Sequence, residues 1–348
     1  MRFAATSKDF PMAKPLPQRA LRVPLRPAAR VVADAEHLAN LTPHLSPRDR
    51  WIARLLYEHR VLTTHQLVQV GWPTRRTANE RLLQLYRWRV VDRFQPLSPL
   101  GEGMPPAHYV CDVAGAAILA AEDGIDLAAT GYRHDRALGV AYWPQLAHRV
   151  AVNGFFTHLI AHARKPNPPG TLTAWWSEAR TRRAFGDIVR PDAYGRWTSR
   201  GGDLEWFLEL DWATEPYARL AAKIDKYGRL ATATGITTPV LFWFPTTNRE
   251  SRARRALADA VAGLDQPNTV PVATTAATLA PPDDQLDPAP ARWLPLASSR
   301  AGRLPLDQLH RAWPRLSAPA PVSDRPDAIP TGSGLRPPAP MPPERYWG

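Results

Sequence analysis

The sequence predicts a mixed α/β (α+β) fold in two parts: a small helical N-terminal part and a larger mixed sheet covered by helices. Three short amphipathic helical patterns between Ser46 and Trp88 precede two short extended segments. From Gln145 onwards, helical and extended patterns follow one another in the order αβββαβ, which requires a crossover connection and a mixed sheet. The 348 residues are sufficient for two domains.

Composition favours a polyanionic partner in a reducing compartment. The net charge of +12 and the pI near 10.3 point first to nucleic acid and second to an anionic membrane surface. The single cysteine, Cys111, excludes a disulfide framework and a cysteine-based zinc site. No apolar run resembles a signal peptide or reaches membrane-spanning length, so we expect a cytoplasmic protein without a membrane partner.

Proline, at 38 residues, is concentrated near the two ends of the chain. Composition predicts a basic Pro/Arg-rich disordered arm over residues 1–45 and a Pro-rich disordered tail over residues 313–348. Within the arm, residues 19–30 either add phosphate contacts or form a solvated segment without a role.

Residues 46–112 form the first predicted domain. Ser46-Pro47-Arg48-Asp49 is a helix-start signal, and the apolar stripe that follows predicts a helix to about Arg60. Thr63-Thr64-His65-Gln66 is a capping-box pattern that opens a second helix, which Gly71 ends. A third helix is predicted from Arg75 to Trp88.

Two extended segments, residues 90–94 and 108–111, flank a loop rich in Pro and Gly. Three short helices followed by a β-hairpin predict a winged helix-turn-helix domain, whose third helix enters the DNA major groove. The predicted DNA-binding residues lie at the start of that helix and in the wing: Arg75, Arg76, Thr77, Asn79 and Arg93. The alternative is a winged helix that serves as a protein–protein adaptor, because the fold hosts both roles.

The charge and chemistry of this domain suit double-stranded DNA. Residues 46–94 contain ten arginines against four acidic residues, which accounts for half of the net positive charge of the chain. Arginine can read guanine through two hydrogen bonds, and asparagine can read adenine in the same way.

Residues 113–144 are predicted to be a linking helix and a polar turn, and residues 145–312 the second domain. That domain opens with an amphipathic helix over residues 145–164. Its histidines, His148 and His158, are predicted to be surface or core-edge residues rather than metal ligands, because no second ligand stands at metal spacing. The elements predicted after it are strands at 172–176, 188–197 and 204–214, a helix at 215–232, a strand at 239–244, a helix at 249–261 and a strand at 269–274.

Acidic residues on neighbouring predicted strands suggest a metal site. Glu209 and Asp211 stand two apart in an apolar strand pattern, so both carboxylates would face the same side of the sheet. With Asp192 they could hold Mg²⁺, or alternatively Mn²⁺, and leave positions open for water. Such a metal would activate a water molecule and stabilise charge on a phosphate.

Lysine usage supports a site at the same place. Five of the 44 basic residues are lysine, and two of these, Lys223 and Lys226, follow the acidic strand. A compact ammonium suits the orientation or deprotonation of a water molecule. The alternative is that these lysines and acids are ordinary solvated residues. The predicted catalytic residues are Asp192, Glu209, Asp211, Lys223, Lys226 and Glu178.

On these elements, the second half resembles the restriction-endonuclease-like PD-(D/E)XK fold, a mixed sheet flanked by helices. In that resemblance Asp192 takes the PD position and Glu209 the next acidic position. Asp211 stands where the motif has lysine, and related nucleases can supply that lysine from the following helix. Lys223 is the first candidate for this role and Lys226 the second, and the Lys223–Tyr227 spacing places both of those side chains on one helix face.

The chain as a whole resembles the replication-relaxation family of actinobacterial and firmicute plasmids and mobile elements. The resemblance covers about residues 46–309 and rests on the winged helix and on five motifs. These are His148-Arg149-Val150-Ala151-Val152-Asn153, Pro191-Asp192, residues 208–215, residues 223–227 and Arg292-Trp293-Leu294-Pro295-Leu296.

The resemblance implies a role in plasmid DNA relaxation, replication or mobilisation. One hypothesis is a magnesium-dependent enzyme that nicks DNA at a plasmid site. The other is a catalytically inactive DNA-binding accessory factor or transcriptional regulator that recruits a relaxase or a replication initiator.

Overall fold

The computed structural model describes residues 33–96, 104–213, 215–281, 284–297, 302–316 and 334–343. Several predicted features therefore lie outside the described residues: the arm over residues 1–32, the wing tip over residues 97–103, Thr214, and the tail over residues 317–333 and 344–348.

The N-terminal part contains the helices that the capping signals predict. In chain order it comprises α1 (Ala35–Leu41), α2 (Pro47–His59), strand β1 (Leu62–Thr63), α3 (Thr64–Gly71) and α4 (Arg75–Arg87). At the start of α2, the Ser46 hydroxyl accepts from the Asp49 N–H at 3.2 Å and the Asp49 carboxylate accepts from the Ser46 N–H at 2.8 Å. Thr63 and Gln66 form the same reciprocal box at α3, so both predicted helix starts are confirmed.

Strands β2 (Val91–Phe94) and β3 (His108–Cys111) form the predicted antiparallel pair, with Val91 opposite Cys111 and Phe94 opposite His108. The short strand β1 pairs with the other edge of β3, which gives the order β1-β3-β2. The chain then enters α5 (Val113–Glu122), which packs on α2, and α6 (His134–Gly139). Most of α5 is buried, so the predicted linking helix is part of the N-terminal core.

The C-terminal part is a six-stranded mixed sheet flanked by helices, in agreement with the predicted fold class. Strand order follows chain order; β6 and β7 are parallel, as are β7 and β8, and the other neighbouring pairs are antiparallel. The elements are α7 (Leu146–Ala163), β4 (Gly170–Ser177), α8 (Glu178–Phe185), β5 (Ala193–Ser199), β6 (Gly202–Leu210), α9 (Tyr217–Thr234), β7 (Val240–Phe244), α10 (Thr247–Ala262), β8 (Val272–Ala276) and β9 (Leu294–Pro295).

The predicted strand limits near the acidic residues are wrong. Strand β5 begins at Ala193, so Asp192 precedes it, and β6 ends at Leu210, so Asp211 follows it. The chain turns after β6 through Ala213, whose φ is +62°. The sequence interpretation also missed α8, which Ser177 caps by accepting from the Arg180 N–H at 3.2 Å.

The predicted disordered ends are wrong where the structure describes them. Residues 35–41 of the predicted arm form α1, with Asp34 as its N-cap and Leu41 buried. Residues 334–343 of the predicted tail lie against the N-terminal part, and Leu335 is 6% exposed. Composition rich in Pro, Ala and Arg conceals these contacts, because it offers no periodic apolar pattern.

One hydrophobic core runs through both parts of the chain. It joins α2, α3 and α4 to α7 and to one face of the large sheet, where Phe155 and Phe156 pack on Trp206. The buried Asn153 side chain donates from α7 to the carbonyl of Val61 at 2.6 Å, which ties the two parts together. A second core fills the other face of the sheet beneath α9 and α10. Within the described residues, no helix combines the length and the apolar character that crossing a bilayer requires.

Candidate functional site

Glu209 is a buried carboxylate held from helix α9. It lies near the end of β6 and is 4% exposed. The Lys223 ammonium donates to its Oε2 at 2.8 Å, and the Tyr227 hydroxyl donates to its Oε1 at 2.6 Å. Lys223 and Tyr227 are one helical turn apart on α9, so the structure brings the first predicted lysine to the acid.

Asp192 lies beside this pair and is tied to the same strand. Its Oδ2 accepts from the Leu210 N–H at 2.8 Å, and its own N–H donates to the Leu208 carbonyl at 3.0 Å. Its Oδ1 lies 3.0 Å from Nε2 of His148, in the first turn of α7. The Asp192 side chain is 20% exposed, so it is the more accessible of the two acids.

The charges of these groups act on one another. Burial raises the pKa of Glu209, and the charge of Asp192 adds to that rise, although Lys223 opposes it. Burial alone would raise the pKa of Asp192 as well, but His148 and Lys223 hold it below its usual value. The pKa of Lys223 is raised because Glu209 and Asp192 outweigh the effect of burial. Asp192, Glu209, Lys223 and His148 therefore belong to one group of interacting charges.

Asp211 has partners other than this group. Its Oδ2 accepts from Nε of Arg249 on α10 at 2.7 Å, and its Oδ1 accepts from the Ala213 N–H at 3.0 Å. Because β6 has already ended, the turn presents Asp211 to α10, whereas Glu209 faces α9. The expectation that Glu209 and Asp211 point to one shared ion is therefore not met by these contacts.

The remaining predicted catalytic residues differ in position. Glu178 opens α8 and forms an ion pair with Arg149, and both line the same cleft as Asp192. Lys226 is exposed on α9, and the acid contact comes from Lys223.

A cleft of about 860 Å³ opens between the two parts of the molecule and borders the candidate site. Asp192, His148 and Lys223 line it on the side of the C-terminal part. Arginines from both parts contribute to its walls: Arg60, Arg133, Arg136, Arg149 and Arg182. Arg60 ends α2 with φ of +74°, a conformation that non-glycine residues adopt at a cost in energy. An anionic ligand that entered the cleft would meet cationic side chains from both sides.

Sequence reasoning missed two histidines of the cleft. His148 was expected at the surface or core edge, yet it contacts Asp192, and the nearby carboxylate raises its pKa against the effect of burial. His59 is 1% exposed, stacks on Trp175 at 3.7 Å between ring centroids, and its Nε2 has no hydrogen-bond partner among the described residues. The only available signal was their position at the ends of the helices that flank the cleft. His158, by contrast, bonds the Gly154 carbonyl at 2.7 Å and Gln69 at 3.2 Å, a structural role.

The predicted DNA-binding residues are mainly exposed on α4. Arg75, Arg76, Thr77 and Asn79 lie at its start, where Thr74 caps the helix by accepting from the Thr77 N–H at 3.3 Å. Arg76 forms a surface ion pair with Glu80 at 3.1 Å. Arg93 is half-buried on β2, with its guanidinium 4.7 Å from the centroid of the Tyr86 ring.

A different group has metal-binding geometry. Among the described residues, Asp92, Asp112 and His134 place one ligand atom each within 4.8 Å of one another, whereas Asp192, Glu209 and Asp211 do not form such a group. His134 Nε2 lies 2.8 Å from Asp92 and 3.3 Å from Asp112. Asp112 also pairs with Arg89 at 3.2 Å and caps α5 by accepting from the Val113 N–H at 2.6 Å. These contacts already compensate the charges of both acids. Asp92, Asp112 and His134 therefore connect α6 to the small sheet, and we call them the polar joint.

The chain matches a protein-family model. No curated protein and no solved structure matches the chain. The family model described as replication-relaxation matches residues 54–247, more than half of the chain. The matched segment begins within α2 and ends at the first residue of α10, so it includes Asp192, Glu209 and Lys223.

Proposed function

The chain belongs to the replication-relaxation family, and from this membership we propose that it acts on plasmid or mobile-element DNA during replication or mobilisation. In this proposal the N-terminal part is a winged helix that docks on double-stranded DNA. The C-terminal part is a nuclease-like domain that nicks one strand near the docking site.

The N-terminal proposal rests on the arrangement of its elements. Helix α4 follows α3 after a short turn, and the β2–β3 pair comes directly after α4, as in winged helix-turn-helix domains. The first turn of α4 presents Arg75, Arg76 and Asn79 to solvent, where they could reach base edges and phosphates.

One observation carries the nuclease proposal: Lys223 reaches the buried Glu209 from α9, beside Asp192, at the wall of an arginine-lined cleft. In this proposal, α9 supplies the lysine that the nuclease motif has at the position of Asp211. Two carboxylates are suitable ligands for Mg²⁺ or Mn²⁺, and each oxygen keeps a lone pair after its observed hydrogen bond. When bound, such an ion would polarise the scissile phosphate and activate a water molecule.

The residues around the acids would hold them in place for that chemistry. Tyr227 fixes one oxygen of Glu209, and the Leu210 N–H fixes one oxygen of Asp192. His148 would position the second oxygen of Asp192, and Lys223 would place positive charge beside the phosphate. Glu178, which is paired with Arg149 at the edge of the cleft, would assist Asp192 and Glu209 in this chemistry.

A second candidate function follows from the same contacts. All four oxygens of Asp192 and Glu209 already have a protein partner, and Arg249 compensates Asp211. Carboxylates whose charges are compensated within the protein can stabilise the fold without taking part in catalysis. The domain would then serve as a binding platform. The protein would then be a DNA-binding accessory factor that recruits a relaxase or a replication initiator.

Incubation with supercoiled plasmid separates the two functions. In low salt with Mg²⁺ or Mn²⁺, the nicking function predicts open circles from the wild type, a rate reduced about 100-fold or more in Asp192→Asn, and a wild-type rate in the control Lys226→Ala. Equal nicking by wild type and Asp192→Asn would reject the assignment of the site. Plasmid binding without nicking by any of the three proteins would support the accessory function.

A further inference from the structure

The C-terminal segment of residues 334–343 lies in a groove on the N-terminal part, which we call the tail groove. Trp51 and Arg54 of α2 form one side of it, and Glu122 and Asp123 at the end of α5 form the other. The Trp51 indole N–H donates to the carbonyl of Ala339 at 2.8 Å. This is a side-chain bond to the backbone across most of the chain length.

Arg336 anchors the segment by charge. Its backbone N–H and its Nε donate to the two oxygens of Asp123, both at 2.7 Å, and its guanidinium also donates to the Glu122 carbonyl at 3.0 Å. Arg54 donates to the Arg336 carbonyl at 3.0 Å and to Asp123 at 2.7 Å. The Asp123 side chain is 3% exposed, so its charge lies away from water and is compensated by these two arginines.

The tail groove contacts both backbone and side-chain groups of the segment. Leu335 is buried beside Arg336, and Met341 packs on the same hydrophobic core. Five of the ten residues from 334 to 343 are proline, so the segment has few backbone N–H groups and favours the extended polyproline II conformation. A tryptophan that donates to a carbonyl, next to an acid that pairs with an arginine, is suited to recognition of such a peptide.

We propose that the tail groove is a docking site for an arginine-containing proline-rich peptide. Residues 334–343 of the same chain occupy this site and can be displaced from it. The groove becomes available to a proline-rich segment of another protein only when the tail leaves.

The connection between tail and body favours a replaceable contact. Residues 317–333 separate the segment from the last described residues of the body, and this length keeps the tail near the groove at an effective concentration on the order of millimolar. A free peptide must compete with that local concentration. Apart from Leu335, and Met341 packed against it, the described residues of this hydrophobic core lie outside residues 334–343.

A peptide-binding measurement on the full chain tests the proposal. The probe is a fluorescein-labelled peptide with the sequence of residues 334–343, followed by anisotropy. Arg336→Ala weakens the tail without altering the groove, so this variant should bind the peptide roughly ten times more tightly than the wild type. Adding Asp123→Ala to Arg336→Ala removes the anchor in the groove and should abolish binding.

The sequence provides a matched control. The arm repeats the pattern Leu-Arg-Pro-x-Ala at residues 25–29, so Arg26→Ala removes an arginine in the same local sequence without touching the tail. Arg26→Ala should bind the peptide as weakly as the wild type. If Arg26→Ala opens the groove and Arg336→Ala does not, the assignment of the tail as occupant is overturned.

Two further outcomes would also overturn the proposal. One is equal peptide affinity of Arg336→Ala and wild type. The other is a wild-type dimer that Arg336→Ala dissociates, since the tail would then act between copies.

Circular dichroism checks that each variant is folded. If Asp123→Ala unfolds the protein, Trp51→Phe in the Arg336→Ala background replaces it, and it should weaken binding because the donor to Ala339 is lost. The Arg336 amide donates to Asp123, so it should exchange slowly in the wild type and fast in Trp51→Phe.

Discussion

At the scale of single residues, the candidate site depends on how the buried carboxylate of Glu209 is compensated. Burial beneath α9 disfavours the charged form of Glu209 and raises its pKa, whereas Lys223 and Tyr227 favour the charged form. Removing one member of a buried ion pair leaves the other uncompensated, which costs more than the pair itself contributes.

Lys223→Ala should therefore destabilise the protein by about 3 kcal/mol, the low end for a broken buried pair. The reason is that Glu209 would keep only the Tyr227 hydroxyl as a partner. Urea denaturation measures the change, with Lys226→Ala as the matched control, because Lys226 is an exposed lysine of the same helix. A loss of similar size in both variants would mean that helix propensity, and not the ion pair, sets the cost.

Part of this site could be predicted from residue types and spacing. The four-residue interval between Lys223 and Tyr227 indicates a shared helix face, and the structure places both on Glu209. The contact between His148 and Asp192 could not be predicted, because it joins residues 44 positions apart on elements whose relative placement depends on the whole sheet. The same holds for Arg249, whose pairing with Asp211 depends on where β6 ends.

At the scale of elements, a glycine allows α7 to approach the sheet closely. Gly195 lies on β5, where a Cβ would come within 2.4 Å of the Trp206 ring and 2.8 Å of Phe156. Both rings are fully buried, so neither can withdraw without disturbing the packing between helix and sheet.

Gly195→Ala should lower the free energy of unfolding by about 1 to 3 kcal/mol, the usual cost of overpacking. Gly139→Ala is the control, because a Cβ there meets nothing within 4 Å and the residue lies in a helix. Thermal or chemical unfolding would distinguish the two, and equal stability of both variants would contradict the close approach of α7.

The polar joint of Asp92, Asp112 and His134 makes the attachment of α6 dependent on pH. The hydrogen bond to Asp92 and the charges of both acids raise the pKa of His134 above its usual value, against the effect of burial. A histidine with a raised folded-state pKa stabilises the fold fully below the unfolded value of about 6.5, and this contribution is lost as pH rises through the folded value.

The free energy of unfolding of the wild type should therefore exceed that of His134→Gln at pH 5.5, and the difference should shrink as pH rises past the folded pKa. Urea denaturation across this range isolates His134, because other titrating groups such as His148 are common to both proteins. A difference that is constant with pH would show that His134 acts only through neutral hydrogen bonds.

Element starts were more predictable than element ends. The capping boxes of α2 and α3 are local, so four consecutive residues suffice to identify them. The ends of β5 and β6 depend on partners from distant strands and on the turn at Ala213, which no local pattern specifies. Helix α1 was missed because its apolar contacts are made with distant residues, while its own composition matches the disordered arm.

At the scale of the whole molecule, the positive charge of α4 should govern affinity for DNA. The double variant Arg75→Ala/Arg76→Ala should weaken duplex binding and reduce the slope of log K against log salt by up to about 2, one for each lost phosphate contact. The control is Arg252→Ala/Arg255→Ala, two exposed arginines of α10 with the same change in net charge. Similar losses in both double variants would place the DNA contact elsewhere.

The continuous core described above has a consequence for where a cut would fall. Helix α4 contributes Ala78, Leu82 and Leu85 to the same packed interior as Leu208 and Leu210, whose backbone groups hold Asp192. Close-packed interiors have low compressibility, so the distance between α4 and the acids Asp192 and Glu209 should be nearly constant. If α4 binds DNA and the site nicks it, the break should lie a constant number of base pairs from the sequence bound by α4, whatever bases lie between.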